Sequence, residues 1–161
     1  MRISKALADL MNAQVGNELG ASNQYVQIAS YFDGESLSKL AKFFYAQAEE
    51  EREHAMKFVH YLMDVSAQLS IAAIPAAKTD IGSAEKALEM SLAWEQEVTG
   101  KINAMMDLAI QEKDYASQAF LQWFVTEQVE EVSTMENMLQ VVRKAGEKNL
   151  LMVEAYLTHS E

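Results

Sequence analysis

The sequence contains no cysteine, a single proline (Pro75) and six glycines among its 161 residues. The lack of cysteine excludes a disulfide framework and a thiolate metal site, and the scarcity of proline and glycine favours long helices. The longest apolar stretch, near residues 71–77, is interrupted by Pro75 and is too short to span a bilayer. Basic residues are few, and the net charge of -11 argues against nucleic-acid binding and favours attraction of cations. We therefore expect a soluble, cytoplasmic protein with no nucleic-acid or membrane partner.

The apolar residues that are present recur at steps of three and four over five segments, which indicates amphipathic helices. The predicted helices cover residues 4–33, 36–64, 83–112, 114–144 and 148–158. Residues 65–82 lose this period; extended, they reach up to about 60 Å, whereas a helix of thirty residues is about 45 Å long. The interpretation is one all-α domain over residues 1–161, a four-helix bundle with a long crossover between helices two and three and a short fifth C-terminal helix.

Local signals set the expected ends of these helices. Gly34 and Gly146 are predicted to end the first and fourth helices. Ser36 is expected near the start of the second helix, and Ser83 and Asp114 are expected to cap the third and fourth.

An acid and a histidine occupy the apolar stripe of the second helix. The steps of three and four continue through this helix only if Gln47, Glu51 and His54 belong to the stripe. Glu51 and His54 form a Glu-x-x-His motif, which places a carboxylate and an imidazole one turn apart on the same inward face. Helical bundles use this motif to hold a metal ion.

Each of the other long helices also carries an acid in its stripe near its midpoint. These acids are Glu18, Glu95 and, in the fourth helix, Glu127 to Glu131. Midpoints of nearly parallel or antiparallel helices share one level, so the acids converge in a single layer. Burying unpaired carboxylates costs several kcal/mol each, and no Lys or Arg lies in these stripes to neutralise them. The layer therefore predicts a dinuclear, carboxylate-rich metal site.

Other polar and aromatic residues have simpler interpretations. Glu49 is expected at the solvent-exposed surface, as are His60 and His159. Trp94 and Trp123 are predicted to pack beside the acid layer, and the ten methionines to fill the core.

Taken together, these residues resemble the signature of non-haem bacterial-type ferritins, members of the ferritin-like di-iron carboxylate superfamily. The resemblance rests on Glu18 with Tyr25, on the run Glu51-Arg52-Glu53-His54, on Glu95, and on Glu127-Gln128-Val129-Glu130-Glu131. The flanking phrases 23–26, 46–51 and 120–124 strengthen it, and the match extends over the four long helices.

The resemblance implies a ferroxidase centre that binds two irons. Its residues would be Glu18, Glu51 and His54 for the first iron, with Glu51 bridging, Glu95 and Glu131 for the second, and Tyr25 and Gln128 beside them. A third iron site, typical of prokaryotic members, would use Glu50, Glu127, Glu130 and Glu131. The resemblance also implies a homo-oligomer of about twenty-four subunits around a hollow cage.

Two departures from related groups refine this prediction. Glu130 stands where bacterioferritins have a second histidine, and Arg52 stands at the position of their haem-binding methionine, so we predict no haem. Animal ferritins line their three-fold channels with acids, and the matching positions here carry Gln118 and Leu121. The sequence therefore does not predict that route for iron.

The resulting hypothesis is an iron-storage and detoxification protein, a ferroxidase whose substrates are Fe(II) and O2 or H2O2. Fe(III) would be stored as a mineral inside the cage. One alternative is a di-iron or dimanganese oxidase similar to rubrerythrin that works without storage, although the second Glu-x-x-His and the cysteines typical of those relatives are missing. A second alternative is a purely structural helical bundle.

Overall fold

A computed structural model describes residues 3–160, which form helices and connections only. The helices are α1 (Lys5–Gly34), α2 (Ser38–Asp64), α3 (Ala84–Gln111), α4 (Tyr115–Ala145) and α5 (Leu150–Thr158), with a short 3₁₀ turn at Glu147–Asn149 before α5. The described part of the chain contains no strand, and no helix in it is long and apolar enough to cross a membrane. The prediction of an all-α bundle of four long helices with a short fifth helix is confirmed.

The buried apolar residues form two clusters, one on each side of the acid layer. We name them the Phe44 cluster and the Phe58 cluster after their central aromatic residues. Helix α1 runs from the Phe58 cluster (Leu7) to the Phe44 cluster (Ile28), and α4 runs the same way, whereas α2 and α3 run in the opposite direction. Because α2 and α3 are parallel to each other, the connection between them must travel the length of the bundle.

The crossover, residues 65–83, lies along α1 and is held there by two side-chain amides. Asn12 donates to the carbonyl of Gln68 (2.9 Å) and accepts from the backbone N–H of Ser70 (2.7 Å). Gln24 makes the same pair of bonds with Lys78, at 3.0 and 2.8 Å. Each amide therefore satisfies both backbone groups of an extended segment, as a neighbouring strand would.

The observed helix ends agree with the expected caps at α3 and α4. Ser83 and Asp114 accept from the backbone N–H groups of Lys86 and Ser117. Gly146 follows α4 with a φ of 78°, a conformation that suits glycine.

The turn between α1 and α2 agrees with the prediction at its first end and differs at its second. Helix α1 ends at Gly34, as predicted, and the positive φ (60°) falls on Ser36. Helix α2 therefore begins at Ser38, later than the expected Ser36, and its N-cap position, Leu37, has no side-chain cap.

The cap that α2 lacks is supplied by α5. Glu154 accepts from the backbone N–H groups of Lys39 (3.0 Å) and Leu40 (2.9 Å). Glu147 does the same for the first turn of α3, at Ala84 (3.3 Å) and Glu85 (2.8 Å). A carboxylate at a helix N-terminus satisfies unpaired donors and interacts favourably with the helix dipole. These two acids therefore fix the C-terminal segment to the bundle.

The methionine prediction holds only in part. Met11, Met105, Met135 and Met138 are buried, but Met63 and Met152 are exposed. Met152 lies on α5 with Leu151 and Tyr156, so this helix presents an apolar outer face.

Candidate metal centre

The four stripe acids meet in the layer between the two apolar clusters. Glu18, Glu51, Glu95 and Glu131 come from α1, α2, α3 and α4, and each is at most 4% exposed. Spacing alone left the acid of α4 open between Glu127 and Glu131, and the resemblance assigned Glu131 to the second iron. In the structure Glu131 lies in the buried layer and Glu127 lies at its edge.

Glu18, Glu51 and His54 form the first candidate ion position. One ligand atom from each of the three lies within 4.8 Å of the others, and His54 Nδ1 lies 3.6 Å from Glu51 Oε2. Glu18 Oε2 and Glu51 Oε1 are buried and have no hydrogen-bond partner. A buried carboxylate oxygen without a donor is costly, and a divalent cation between these atoms would satisfy both.

Glu51, Glu95 and Glu131 form the second position under the same distance criterion. Glu51 belongs to both groups, which is the geometry expected of a bridging carboxylate. Glu95 is held on both oxygens: Tyr25 donates to Oε1 at 2.5 Å, and Gln128 donates to Oε2 at 3.3 Å. The Gln128 amide also bonds to the backbone carbonyl of Glu95 at 3.1 Å. The predicted neighbours Tyr25 and Gln128 thus contact one and the same acid.

Burial raises the pKa values of the acids in this layer. For Glu131, burial and then the charges of Glu95 and Glu50 raise the pKa to about 8. Burial likewise raises the pKa of Glu95, and it raises the pKa values of Glu18 and Glu51 well above their usual range. The charge of Glu51 raises the pKa of Glu18 further, and the charges of Glu95 and Glu131 do the same for Glu51. Protons and metal ions must therefore compete for these oxygens.

The residues predicted for a third iron site are only partly brought together. Glu127 Oε1 lies 3.8 Å from His54 Nε2, and Glu127, Glu131 and His54 form a third group of potential ligands. The Glu50 residue is largely exposed, but its carboxylate accepts from Gln47 Nε2 at 3.0 Å. Partial burial of this carboxylate, and also the charge of Glu127, raise its pKa. Glu130 is exposed and belongs to none of the ligand groups found among residues 3–160.

Trp123 and Trp94 pack beside the acid layer as predicted, except that the indole N–H of Trp94 is unpaired. Trp123 contacts the His54 ring edge-to-face, with centroids 5.4 Å apart, and the Lys57 ammonium lies 4.3 Å from the Trp123 ring centroid. Trp94 contacts both apolar clusters, but its indole N–H is buried with no hydrogen-bond partner. His60 and His159 are exposed, as expected.

Other predicted positions lie at the surface, except for Leu121. Arg52 and Glu49 are exposed and 4.0 Å apart. Gln118 is half-buried and donates to the carbonyl of Ala109 (3.1 Å). Leu121 is fully buried in the Phe58 cluster, so its side chain does not reach the surface of the subunit.

Sequence reasoning gave no role to two buried amides that contact the acids. Gln14 donates to Glu18 and Gln47 donates to Glu50. Both glutamines occupy the apolar stripes of their helices, and that position was the signal that could have identified them.

Comparison with known proteins gives consistent matches. Residues 8–145 match the family model of the ferritin-like domain. The chain is 39% identical over 148 residues to "Ferritin BfrB" of Mycobacterium tuberculosis, covering 92% of this chain and 81% of that protein. It is 39% identical over 145 residues to "Bacterial non-heme ferritin" of Staphylococcus aureus, covering 90% and 87%. The crystal structure of an open pore ferritin from Archaeoglobus fulgidus superposes with a TM-score of 0.92 at 31% identity, covering 96% of both chains.

Proposed function

Because the chain belongs to the ferritin family and is a bacterial-type ferritin, we propose that its buried acid layer is a ferroxidase centre. Iron storage is the function that the family and the relatives support. In the finer proposal, Fe(II) is the substrate, O2 or H2O2 is the oxidant, and Fe(III) is stored as a mineral within a cage. Storage in this form removes reactive Fe(II) and thus also serves detoxification.

The observation that carries the proposal is the sharing of Glu51 between two groups of buried ligands. Two ions bound on either side of one carboxylate lie close enough to give electrons to the same oxidant molecule. Each Fe(II) loses one electron; the pair reduces O2 with two protons to H2O2, or H2O2 with two protons to two waters. Hard carboxylate oxygens stabilise Fe(III) more than Fe(II), which favours oxidation.

In this proposal the residues have separate roles. Glu18, Glu51 and His54 bind the first ion, and Glu51, Glu95 and Glu131 bind the second. Tyr25 and Gln128 hold Glu95 in place through the bonds at 2.5 and 3.3 Å.

An outlet for the oxidised iron is proposed between α2 and α4. Glu127 contacts His54 and is 27% exposed, so it connects the buried layer with the surface. Glu50 and Glu127 interact electrostatically, which supports a third iron site at this edge. Glu130 remains in the proposal only as an outer ligand because it is exposed.

The ferritin neighbours support a homo-oligomer, and we propose a cage of about twenty-four subunits in the cytoplasm. The exposed apolar face of α5, formed by Leu151, Met152 and Tyr156, is suited to subunit contacts. Size-exclusion chromatography of the purified protein tests this point. A small oligomer that retains no mineral would favour the oxidase alternative.

The site assignment is tested by replacing Glu51 or His54 with alanine. Each variant should lose rapid Fe(II) oxidation, measured as the initial rate of Fe(III) formation by stopped-flow absorbance, by about a hundredfold. Glu49→Ala is the matched control, because Glu49 lies on the same helix but is exposed. If Glu51→Ala oxidises Fe(II) at the initial rate of the unaltered protein, the assignment is wrong.

A further inference from the structure

Gln14 is a buried amide at the acid layer for which neither the family match nor the proposed reaction provides a role. It lies on α1 one turn before Glu18 and is 1% exposed. Its Nε2 donates to Glu18 Oε1 at 2.8 Å, and its own Oε1 accepts from Asn17 Nδ2 at 3.1 Å. An ionised Glu18 carboxylate can only accept, so the Gln14 amide turns its Nε2 towards Glu18 and its Oε1 towards the Asn17 donor.

This arrangement makes the two oxygens of Glu18 different. Oε1 is occupied by the Gln14 donor, whereas Oε2 is buried without a partner. The unoccupied oxygen is thus the one available to an ion, and the hydrogen bond holds the carboxylate against rotation.

We propose that Gln14, oriented by Asn17, is a positioning residue that presents Glu18 to the first ion position as a ligand through one oxygen. The inference rests on the proposed function, since it assumes that Glu18, Glu51 and His54 bind an ion. Residues that orient a metal ligand by hydrogen bonds contribute about 10- to 100-fold to metal affinity. Glu95 is held by Tyr25 and Gln128 instead, so the effect of Gln14 should be confined to the first position.

The test is Gln14→Met, which keeps the length of the side chain but removes the donor. The two ion positions are measured separately: Glu131→Ala isolates the first and His54→Ala isolates the second. Zn(II) affinity is measured by calorimetry, and the visible absorption of bound Co(II) reports the ligand geometry. Gln14→Met should weaken Zn(II) binding about 10- to 100-fold in the Glu131→Ala protein and alter its Co(II) spectrum. In the His54→Ala protein, affinity should change less than about twofold.

Gln27→Met is the matched control, because Gln27 is a half-buried glutamine on the same helix. It should change neither affinity nor spectrum. Equal weakening of both ion positions by Gln14→Met would indicate general loosening and overturn the inference, as would an unchanged first position. If Glu131→Ala with Gln14 intact binds no Zn(II), the site assignment fails, and the inference fails with it.

If Gln14→Met does not fold, a second variant tests whether Gln14 positions Glu18. Asn17→Ala leaves Gln14 in place but removes the donor that orients its amide, at a half-buried position. It should weaken Zn(II) binding at the first position by about threefold or more. First-position affinity and a Co(II) spectrum equal to those of the Glu131→Ala protein would overturn the inference.

Discussion

Loading the metal-free centre with Zn(II) should release protons into solution. Zn(II) is not oxidised, so binding can be observed without the chemistry of iron. Burial and neighbouring charges raise the pKa of Glu131 to about 8, and a group with this pKa is about nine-tenths protonated at pH 7. Because a carboxylate must be deprotonated to bind a metal ion, Glu131 alone should give up about 0.9 proton per subunit.

The other buried acids add to this number. Burial also raises the pKa values of Glu18, Glu51 and Glu95, so these acids should release further protons when they bind the metal ion. The total should therefore exceed about 0.9 proton per subunit. Each released proton strengthens apparent Zn(II) affinity about tenfold per unit rise in pH while the acids remain protonated.

Calorimetry at pH 7 in two buffers with different ionisation enthalpies measures the released protons directly. Glu131→Gln should lower the number by about 0.9, whereas Glu130→Gln, at an exposed neighbour, should leave it unchanged. Release of fewer than about 0.3 proton per subunit would refute the reasoning, because the acids would then be ionised before the metal arrives. An unchanged number in Glu131→Gln would refute the role given to this residue.

Three further outcomes concern stability and dynamics. Because the pKa of Glu131 is raised in the folded protein, the folded state binds this proton more tightly than the unfolded state does. The stability of the fold that this gives at low pH is lost as the pH rises towards 8. For Glu131 this amounts to about 3 kcal/mol between pH 5.5 and pH 8, and thermal melts of the metal-free protein should show it. Glu154→Ala should destabilise the subunit by about 1–2 kcal/mol, since two backbone N–H groups lose their cap; denaturant unfolding measures this. Asn12→Ala should speed hydrogen exchange at the Ser70 amide, which donates to Asn12 at 2.7 Å.

Each of these has its own control. In Glu131→Gln the pH dependence should shrink, and an unchanged slope would contradict the assignment to this acid. Glu136→Ala removes an exposed carboxylate of α4 and should cost much less stability than Glu154→Ala; equal losses would remove the capping argument. In Asn12→Ala the Lys78 amide, held by Gln24, should keep its exchange rate.

The helices and the acid layer could be predicted from the sequence because both follow from the spacing of apolar and acidic residues along each helix. Glu18, Glu51 and Glu95 interrupt apolar stripes at the centre of long helices, and spacing alone places them at one level. Residues that depend on contacts distant in the chain could not be found this way. The cap of α2 comes from Glu154, more than a hundred positions after Lys39, and nothing near Ser36 indicates it.

The proposed third iron site depends on the motif for Glu130 and not on the geometry of the subunit. Glu130 and Glu131 are adjacent, and neighbours on a helix point about 100° apart, so only Glu131 faces the layer while Glu130 is exposed. For Gln14, the place in the apolar stripe was visible in the sequence, but its bond to Glu18 requires side-chain coordinates.

The two caps supplied by Glu147 and Glu154 also affect the order in which a newly made chain can complete its fold. Helices α2 and α3 leave the ribosome before these acids, so the first turns of both helices lack their carboxylate caps until residues 147–154 follow. A subunit interrupted in synthesis before Glu147 would retain two frayed helix ends and no α5. The N-terminal turns of α2 and α3 are thereby completed only when residues 147–154 dock on the bundle.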